Sequence, residues 1–260
     1  MKYTREELAK MIDHSLLHPT MTDQELEDGC KLAAEYNVAS VCIKPYAVKM
    51  AVGWLQGSDV KVGAVIGFPH GNSPTESKRY ETELACKDGA VEIDMVVNVG
   101  KALSGDWEYV ERDIKAVCDE AHSHRAKVKV IFENDYLNDG GAGLSADELK
   151  IKLCEICERA GADWVKTSSG YGFIKGPDGN YSYKGATEHD LALMRANVSD
   201  KVQVKAAGGV RDLDGLIKVR DLGCSRLGAT ATAKMLDDYN ARKADGSSTE
   251  STGEIGSGGY

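Results

Sequence analysis

Two lysines and an aspartate occupy the positions in this sequence where chemistry is most readily done. The run Ala162-Asp163-Trp164-Val165-Lys166-Thr167-Ser168-Ser169-Gly170 is apolar and strand-like, delivers Lys166 to its own C-terminal end, and follows it with hydroxyls and a glycine. Val202-Gln203-Val204-Lys205-Ala206-Ala207-Gly208-Gly209-Val210 repeats the arrangement. A third run, Val91-Glu92-Ile93-Asp94-Met95-Val96-Val97, places the Asp94 carboxylate in an otherwise apolar stretch. Ionisable side chains seldom keep such company without a partner or a task. A lysine of ordinary pKa, about 10.4, is a free amine in only about one molecule in 2,500 at pH 7. Lowering that pKa by about three units frees about half of it, at a differential cost of about 4 kcal/mol. Burial and a neighbouring ammonium can supply such a shift. The residues therefore read as a nucleophilic amine, Lys166, a second cation, Lys205, that depresses its pKa, and a proton carrier, Asp94. A Schiff base on Lys166 would be an electron sink, and Asp94, through water and Lys205, would take and return the proton alpha to the iminium. The competing reading is plainer: each lysine reaches the rim or pairs with a carboxylate, and Asp94 only neutralises one of them.

Such groups converge only if the strands that carry them end on one face. The hydrophobic pattern predicts strands over residues 12–17, 39–43, 60–66, 91–97, 128–132, 163–166, 202–206 and 225–227. Between and after them lie helical patterns over 23–36, 46–55, 73–87, 106–122, 145–160, 187–197, 212–221 and 230–239. The strand runs read as continuously apolar, the pattern of a parallel sheet covered on both faces, and the spacing suits right-handed βαβ crossovers. Eight such units predict a closed (β/α)₈ barrel, a TIM barrel, over 1–240. An open doubly wound sheet is second, since the first turn has no G-x-G-x-x-G. A short N-terminal helix is expected near Thr4, with Glu7 completing a capping box, and Ser145 with Glu148 marks another helix start. Pro74 is expected at a first helical position, where its missing N–H costs nothing.

In a barrel of this kind the C-terminal ends of the strands carry the site, and Asp13, Lys44, Asp94, Glu133, Lys166 and Lys205 all fall at or near such ends. Gly208-Gly209-Val210 and Gly228-Ala229-Thr230 follow the seventh and eighth strands, where backbone N–H groups and a helix N-terminus can hold a phosphate. Arg211 either adds charge there or faces solvent. The connection 171–185 is long and contains Gly176-Pro177-Asp178-Gly179-Asn180, which predicts a small hairpin over the mouth. Residues 241–260, rich in Gly, Ser and charge, are expected to form a flexible tail.

The 260 residues are 42% hydrophobic, enough for a large core, and carry 32 basic against 41 acidic side chains for a formal charge of −9. That balance argues against nucleic acid or anionic membrane as partners, so any phosphate is held locally. No apolar run approaches the length of a membrane span. Seven scattered cysteines point to a reducing, cytoplasmic compartment. Cys154 and Cys157 sit in a helical pattern without a second pair and read as helix-face residues. His14, His70, His122, His124 and His189 show no ligand spacing, so neither a metal nor another cofactor is expected.

These stretches, together with Ile12-Asp13-His14-Ser15-Leu16-Leu17, Ser40-Val41-Cys42-Ile43, Val65-Ile66-Gly67-Phe68-Pro69 and Arg226-Leu227-Gly228-Ala229-Thr230, resemble the class I deoxyribose-phosphate aldolases over nearly the whole chain. The resemblance implies a metal-free barrel that reversibly cleaves 2-deoxy-D-ribose 5-phosphate to acetaldehyde and D-glyceraldehyde 3-phosphate, with a homodimer left open. It implies a Schiff base on Lys166, the pKa-lowering ammonium on Lys205 and the proton relay on Asp94. Ser169, Gly170, Gly208, Gly209, Gly228 and Thr230 would surround the phosphosugar. Three positions depart from the family pattern: Ser169 stands for a threonine, and Thr230 and Ala231 stand for serines. Ala231 loses a hydroxyl, worth about 1 kcal/mol of phosphate binding, and Lys175 or Lys184 in the inserted 171–185 loop is expected to replace that contact. Several family members end in a tyrosine that folds over the site and assists proton transfer. This chain ends in Tyr260, and a tail of twenty residues reaches at most about 66–72 Å, enough to return to the mouth. Two other readings stay open: another Schiff-base barrel such as a transaldolase-like lyase, and a non-catalytic barrel that binds a phosphosugar.

Overall fold

The computed structural model describes residues 2–246 and residue 255. Ten strands occur: β1 (Ile12–Leu16), β2 (Ser40–Ile43), β3 (Lys61–Ile66), β4 (Glu92–Val96), β5 (Lys127–Ile131), β6 (Trp164–Lys166), β7 (Ile174–Lys175), β8 (Tyr181–Ser182), β9 (Gln203–Ala207) and β10 (Arg226–Ala229). Eight of them close a parallel barrel in the order β1-β2-β3-β4-β5-β6-β9-β10, and β7 with β8 makes a separate antiparallel hairpin. The helices are α1 (Arg5–Ala9), α2 (Asp23–Glu35), α3 (Val48–Trp54), α4 (Thr75–Lys87), α5 (Val99–Leu103), α6 (Trp107–Ser123), α7 (Ala146–Ala160), α8 (Glu188–Ala196), α9 (Leu213–Asp221) and α10 (Thr232–Asp245). The (β/α)₈ barrel and its N-terminal helix are thus as the sequence predicts. Capping boxes form at Thr4 with Glu7 and at Ser145 with Glu148.

Several boundaries differ, each for a local reason. Pro74 is the N-cap and not the first helical residue, because its ψ of 148° is extended. Helix α5 was not predicted; it is one short turn set by Asn98, whose side chain accepts from Lys101 N at 3.1 Å, and ended by Gly105 at φ 73°. Strand β10 runs on to Ala229, so Gly228 lies within it and not after it. The predicted boundary between barrel and tail at 240/241 falls inside α10. Arg242 keeps that helix intact with ion pairs to Asp214 and Asp238, both at 2.7 Å, and Gly246, at φ 77°, ends it.

Side chains facing the helices form the main apolar core: Ile12, Val41, Ile93, Val128, Val130, Val165 and Val204 pack against residues such as Leu26, Val117, Leu153 and Leu216. The barrel lumen is different. The expectation of continuously apolar strands fails there, because period-2 alternation in β4 and β5 sends Glu92, Asp94 and Lys129 inward. Asp13, Glu92, Asp94, Lys129, Lys166, Lys205 and Arg226 are all buried, and ion pairs between non-adjacent strands, such as Lys129–Asp13 and Arg226–Glu92, can only cross the lumen. Trp164 lies at the base of this set, with Arg226 and Lys129 5.3 and 5.8 Å from its ring and its Nε1 donating to Ser225 Oγ at 2.9 Å.

Outside the barrel, the buried Lys78 of α4 pairs with Asp113 of α6 at 2.6 Å and donates to Val96 O at 2.8 Å, fixing the end of β4. All seven cysteines are unpaired, and Cys154 and Cys157 are buried on the core face of α7. Among the described residues no helix is long and apolar enough to cross a membrane.

Candidate active site

A narrow cleft opens at the C-terminal ends of the barrel strands. Lys166, Lys205, Ser169, Gly170, Gly208, Gly209, Gly228 and Thr230 all border it. Asp94 lies beneath them, fully buried, and its Oδ2 accepts from Lys166 Nζ at 2.8 Å and from Lys205 Nζ at 2.7 Å. The register that places Lys166 directly beside Lys205 is that of the β6–β9 pair. Just above, Thr167 Oγ1 donates to Ala207 O and accepts from Ala207 N, both at 3.0 Å. A side chain thus supplies an extra rung between the two lysine-bearing strands, of which β6 is only three residues long.

A lower layer completes the electrostatics. Lys129 Nζ reaches Asp94 Oδ1 at 2.9 Å, Glu92 Oε2 at 2.6 Å and Asp13 Oδ2 at 3.1 Å. Lys205 Nζ also pairs with Asp13 Oδ2 at 2.6 Å. Arg226 pairs with Asp13, and its Nη2 donates to Glu92 Oε1 at 2.6 Å. Buried charges in this density survive only by mutual pairing. Burial works against every one of them, yet Asp13 and Asp94 outweigh it at Lys205 and raise its pKa. Asp13, Asp94 and Glu92 raise that of Lys129 well above its ordinary value. Lys129, Lys166 and Lys205 overcome burial at Asp94 and hold its carboxyl well below the usual range. Lys166 goes the other way: burial lowers its pKa, Asp94 opposes, and the Lys205 ammonium reinforces the fall. Three carboxylates, Asp13, Glu92 and Asp94, face four cationic side chains, Lys129, Lys166, Lys205 and Arg226. The set is neutral when one of the four gives up its proton, and Lys166 is the one whose basicity is lowered.

One wall of the cleft is apolar. Leu17 and Cys42 border it, packed with Val65, Phe68 and Tyr171, and burial pushes the Cys42 thiol up to about 11. At the end of β9, Gly208 and Gly209 both take left-handed conformations, φ 84° and 81°, which glycine alone adopts without strain. Thr230 leads into α10, whose N-cap, Ala231, makes no side-chain hydrogen bond to the helix. That helix start keeps its N–H groups without a side-chain cap, and Arg211 also borders the cleft.

Not every expected residue presents itself to the cleft. The Ser169 hydroxyl borders it but donates to Glu133 and accepts from Tyr171 N at 2.9 Å. Glu133 sits at φ 58°, accepts from Ser169 N at 3.1 Å, and is pushed up to about 7 chiefly by burial, against the hydrogen bonds from Ser169. Neither Lys175 nor Lys184 borders the cleft, contrary to the expectation that one of them replaces the Ala231 contact. The 171–185 hairpin forms as predicted but contributes Tyr183, buried and edge-on to Phe173 at 5.4 Å. Asp135 anchors it by accepting from Lys184 N at 2.7 Å and Gly185 N at 2.9 Å. Lys44 lies outside the cleft and donates to His18 O and Met21 O. Among the histidines, His14 is buried against Thr232 Oγ1 at 2.8 Å, with burial lowering it to about 4, while His122 pairs with Asp163. His189 approaches Asp147 and Asp190, a trio of ligand types that its sequence spacing did not suggest, but Asp190 already pairs with Lys150 at 2.6 Å. Tyr260 lies outside the described residues.

Sequence reasoning missed Lys129, Glu92 and Arg226. The alternations Glu92-x-Asp94 and Lys127-x-Lys129 were the available signal, since residues two apart on a strand share a face.

A barrel with one amine of lowered basicity beside a second, charged amine suits carbinolamine and iminium chemistry, the kind used by aldolases that work through a lysine, and that is the arrangement in this chain. It belongs to the DeoC/LacD family of aldolases, whose family model matches residues 8–231. The chain is 48% identical over 258 residues to the deoxyribose-phosphate aldolase of Rhodopirellula baltica, covering 99% of each. It is 45% identical over 228 residues to that of Clostridium perfringens, covering 88% of this chain and 93% of the relative. Among solved structures, the tetrameric deoxyribose phosphate aldolase of Aeropyrum pernix matches with a TM-score of 0.78 at 29% identity, over 92% of this chain and 93% of the other.

Proposed function

We propose that the protein is a class I aldolase that reversibly cleaves 2-deoxy-D-ribose 5-phosphate to acetaldehyde and D-glyceraldehyde 3-phosphate. The uncharged Lys166 amine attacks the C1 aldehyde, and loss of water from the carbinolamine leaves an iminium. The C3 hydroxyl then gives up its proton, the C2–C3 bond breaks into the iminium, and glyceraldehyde 3-phosphate departs from an enamine. Protonation of that enamine at C2 and hydrolysis release acetaldehyde and restore the amine. Asp94 stays ionised throughout, so it acts in the relay by directing a proton through water and the Lys205 ammonium and not by holding it. Tyr260 assists the same transfer at C2.

The apolar wall of Leu17 and Cys42 suits the two-carbon end of the sugar, while the ends of β9 and β10 suit a phosphate. There Gly208, Gly209, Gly228 and Thr230, with Ser169 and Gly170 beside them, meet the uncapped start of α10 and the Arg211 guanidinium. The substrates are small molecules, and a reducing cytoplasm suits the seven unpaired cysteines.

The observation that carries the proposal is the pair of lysines, Lys166 and Lys205, that border the cleft side by side and share the single buried oxygen Asp94 Oδ2. Borohydride reduction in the presence of acetaldehyde, followed by peptide mass mapping, tests it. A two-carbon adduct on Lys166 is expected, with no adduct from dihydroxyacetone; labelling elsewhere, or none, refutes the mechanism.

A further inference from the structure

Arg226 touches nothing in the cleft. It lies at the start of β10, stacks over Trp164, and spends its guanidinium on Asp13 and Glu92. Those two carboxylates would otherwise be available to Lys129 and Lys205, and through Asp94 to Lys166. Without Arg226 the lumen would hold three carboxylates and three lysines, a neutral set with every amine protonated. We infer that Arg226 is a positioning residue for the reaction proposed above: from the floor of the barrel its charge offsets that of Glu92, limits the number of protons the buried set can hold, and so favours the neutral form of Lys166.

The groups facing Lys166 come from each surrounding strand. They are Asp13 from β1, Cys42 from β2, Asp94 and Glu92 from β4, Lys129 from β5 with Glu133 just beyond its end, Lys205 from β9 and Arg226 from β10. Burial keeps the Cys42 thiol protonated, near 11. Burial pushes Glu133 up to about 7, and its hydrogen-bond partner is Ser169 and none of the substituted residues, so its influence is common to the variants compared below. Lys166, Lys205 and Arg226 occupy one row of the β6–β9–β10 register. Two strand spacings separate the Arg226 and Lys166 backbones by about 10 Å, and unit charges at that order of separation in a partly shielded interior move one another's midpoints by about one pH unit.

The test is the pH dependence of borohydride trapping by acetaldehyde at Lys166, read by mass mapping. Arg226→Met is expected to raise the midpoint by about one unit, a roughly tenfold loss of trapping rate at neutral pH that is recovered at higher pH. Glu92→Gln, which removes a negative charge, is expected to move it the other way. The double variant, which removes the pair together, and Arg226→Lys, which keeps the charge, should both return to the wild-type midpoint. If Arg226→Met does not fold, Glu92→Gln against the double variant carries the same comparison, since loss of a buried pair is tolerated better than loss of one member. A midpoint that stays fixed in every folded variant overturns the inference, even where activity falls, because looser packing slows a reaction without shifting a titration. If wild-type Lys166 is not labelled at all, the proposed reaction fails instead.

Discussion

Replacing Lys205 with methionine removes the ammonium nearest to Lys166 while keeping the unbranched stem. The two Nζ atoms share Asp94 Oδ2 at 2.8 and 2.7 Å, which puts them no more than about 5.5 Å apart. At that distance, with an effective dielectric constant of about 20, two unit charges interact by about 3 kcal/mol, or about two pH units. Asp94 and Asp13 also lose a partner in the variant and turn more of their field on the remaining cations, which adds in the same direction. The Lys166 midpoint should rise by about two units and the free amine at pH 7 should fall by up to about a hundredfold. Quenched-flow trapping with acetaldehyde and borohydride, run across neutral and alkaline pH, measures this directly. The expected profile is a deep loss at neutral pH that closes as the solution becomes alkaline. A loss of the same size at every pH would mean that Lys205 acts only as a proton carrier or a packing element, and would refute the electrostatic reasoning.

Two further outcomes follow from groups at the edge of the site. Glu133 has a folded pKa of about 7 against about 4.3 in the unfolded chain, so the unfolded state loses its proton first and stability falls as pH rises between those values, by about 4 kcal/mol in all. Glu133→Gln should therefore gain in urea midpoint over wild type at pH 8 but not at pH 4, and an equal difference at both would remove Glu133 from the pH response. Deleting Tyr260 should slow exchange of the C2 protons of acetaldehyde into heavy water while leaving reductive trapping at Lys166 intact; unchanged exchange would make that residue incidental.

The barrel was legible because the helix-facing strand positions, His14 aside, are apolar and because the two lysines end their runs beside glycines or hydroxyls. The Gly176-Pro177-Asp178-Gly179-Asn180 turn likewise announced the β7–β8 hairpin. The lumen was harder to read. Strands of five residues such as β4 and β5 offer only two or three inward positions, so Glu92, Asp94 and Lys129 look like interruptions in an apolar run and not like one face of it. Their partners come from strands far away in sequence: Lys129 meets Asp13, and Arg226 meets Glu92, only when the barrel closes. The role expected of Lys175 or Lys184 failed for a similar reason. A hairpin's reach depends on its anchoring, and Asp135 holds this one so that Tyr183, not a lysine, enters the cleft.

The Thr167 rung has a consequence for how such a protein can change. By tying β6 to β9 immediately beyond the paired amines, it makes their spacing a property of the frame, insensitive to what the rim does. The segments that greet the incoming sugar can then be lengthened, shortened or exchanged while the reactive nitrogen keeps its tuning. Selectivity and reactivity are thereby inherited separately, one in the rim and one in the frame.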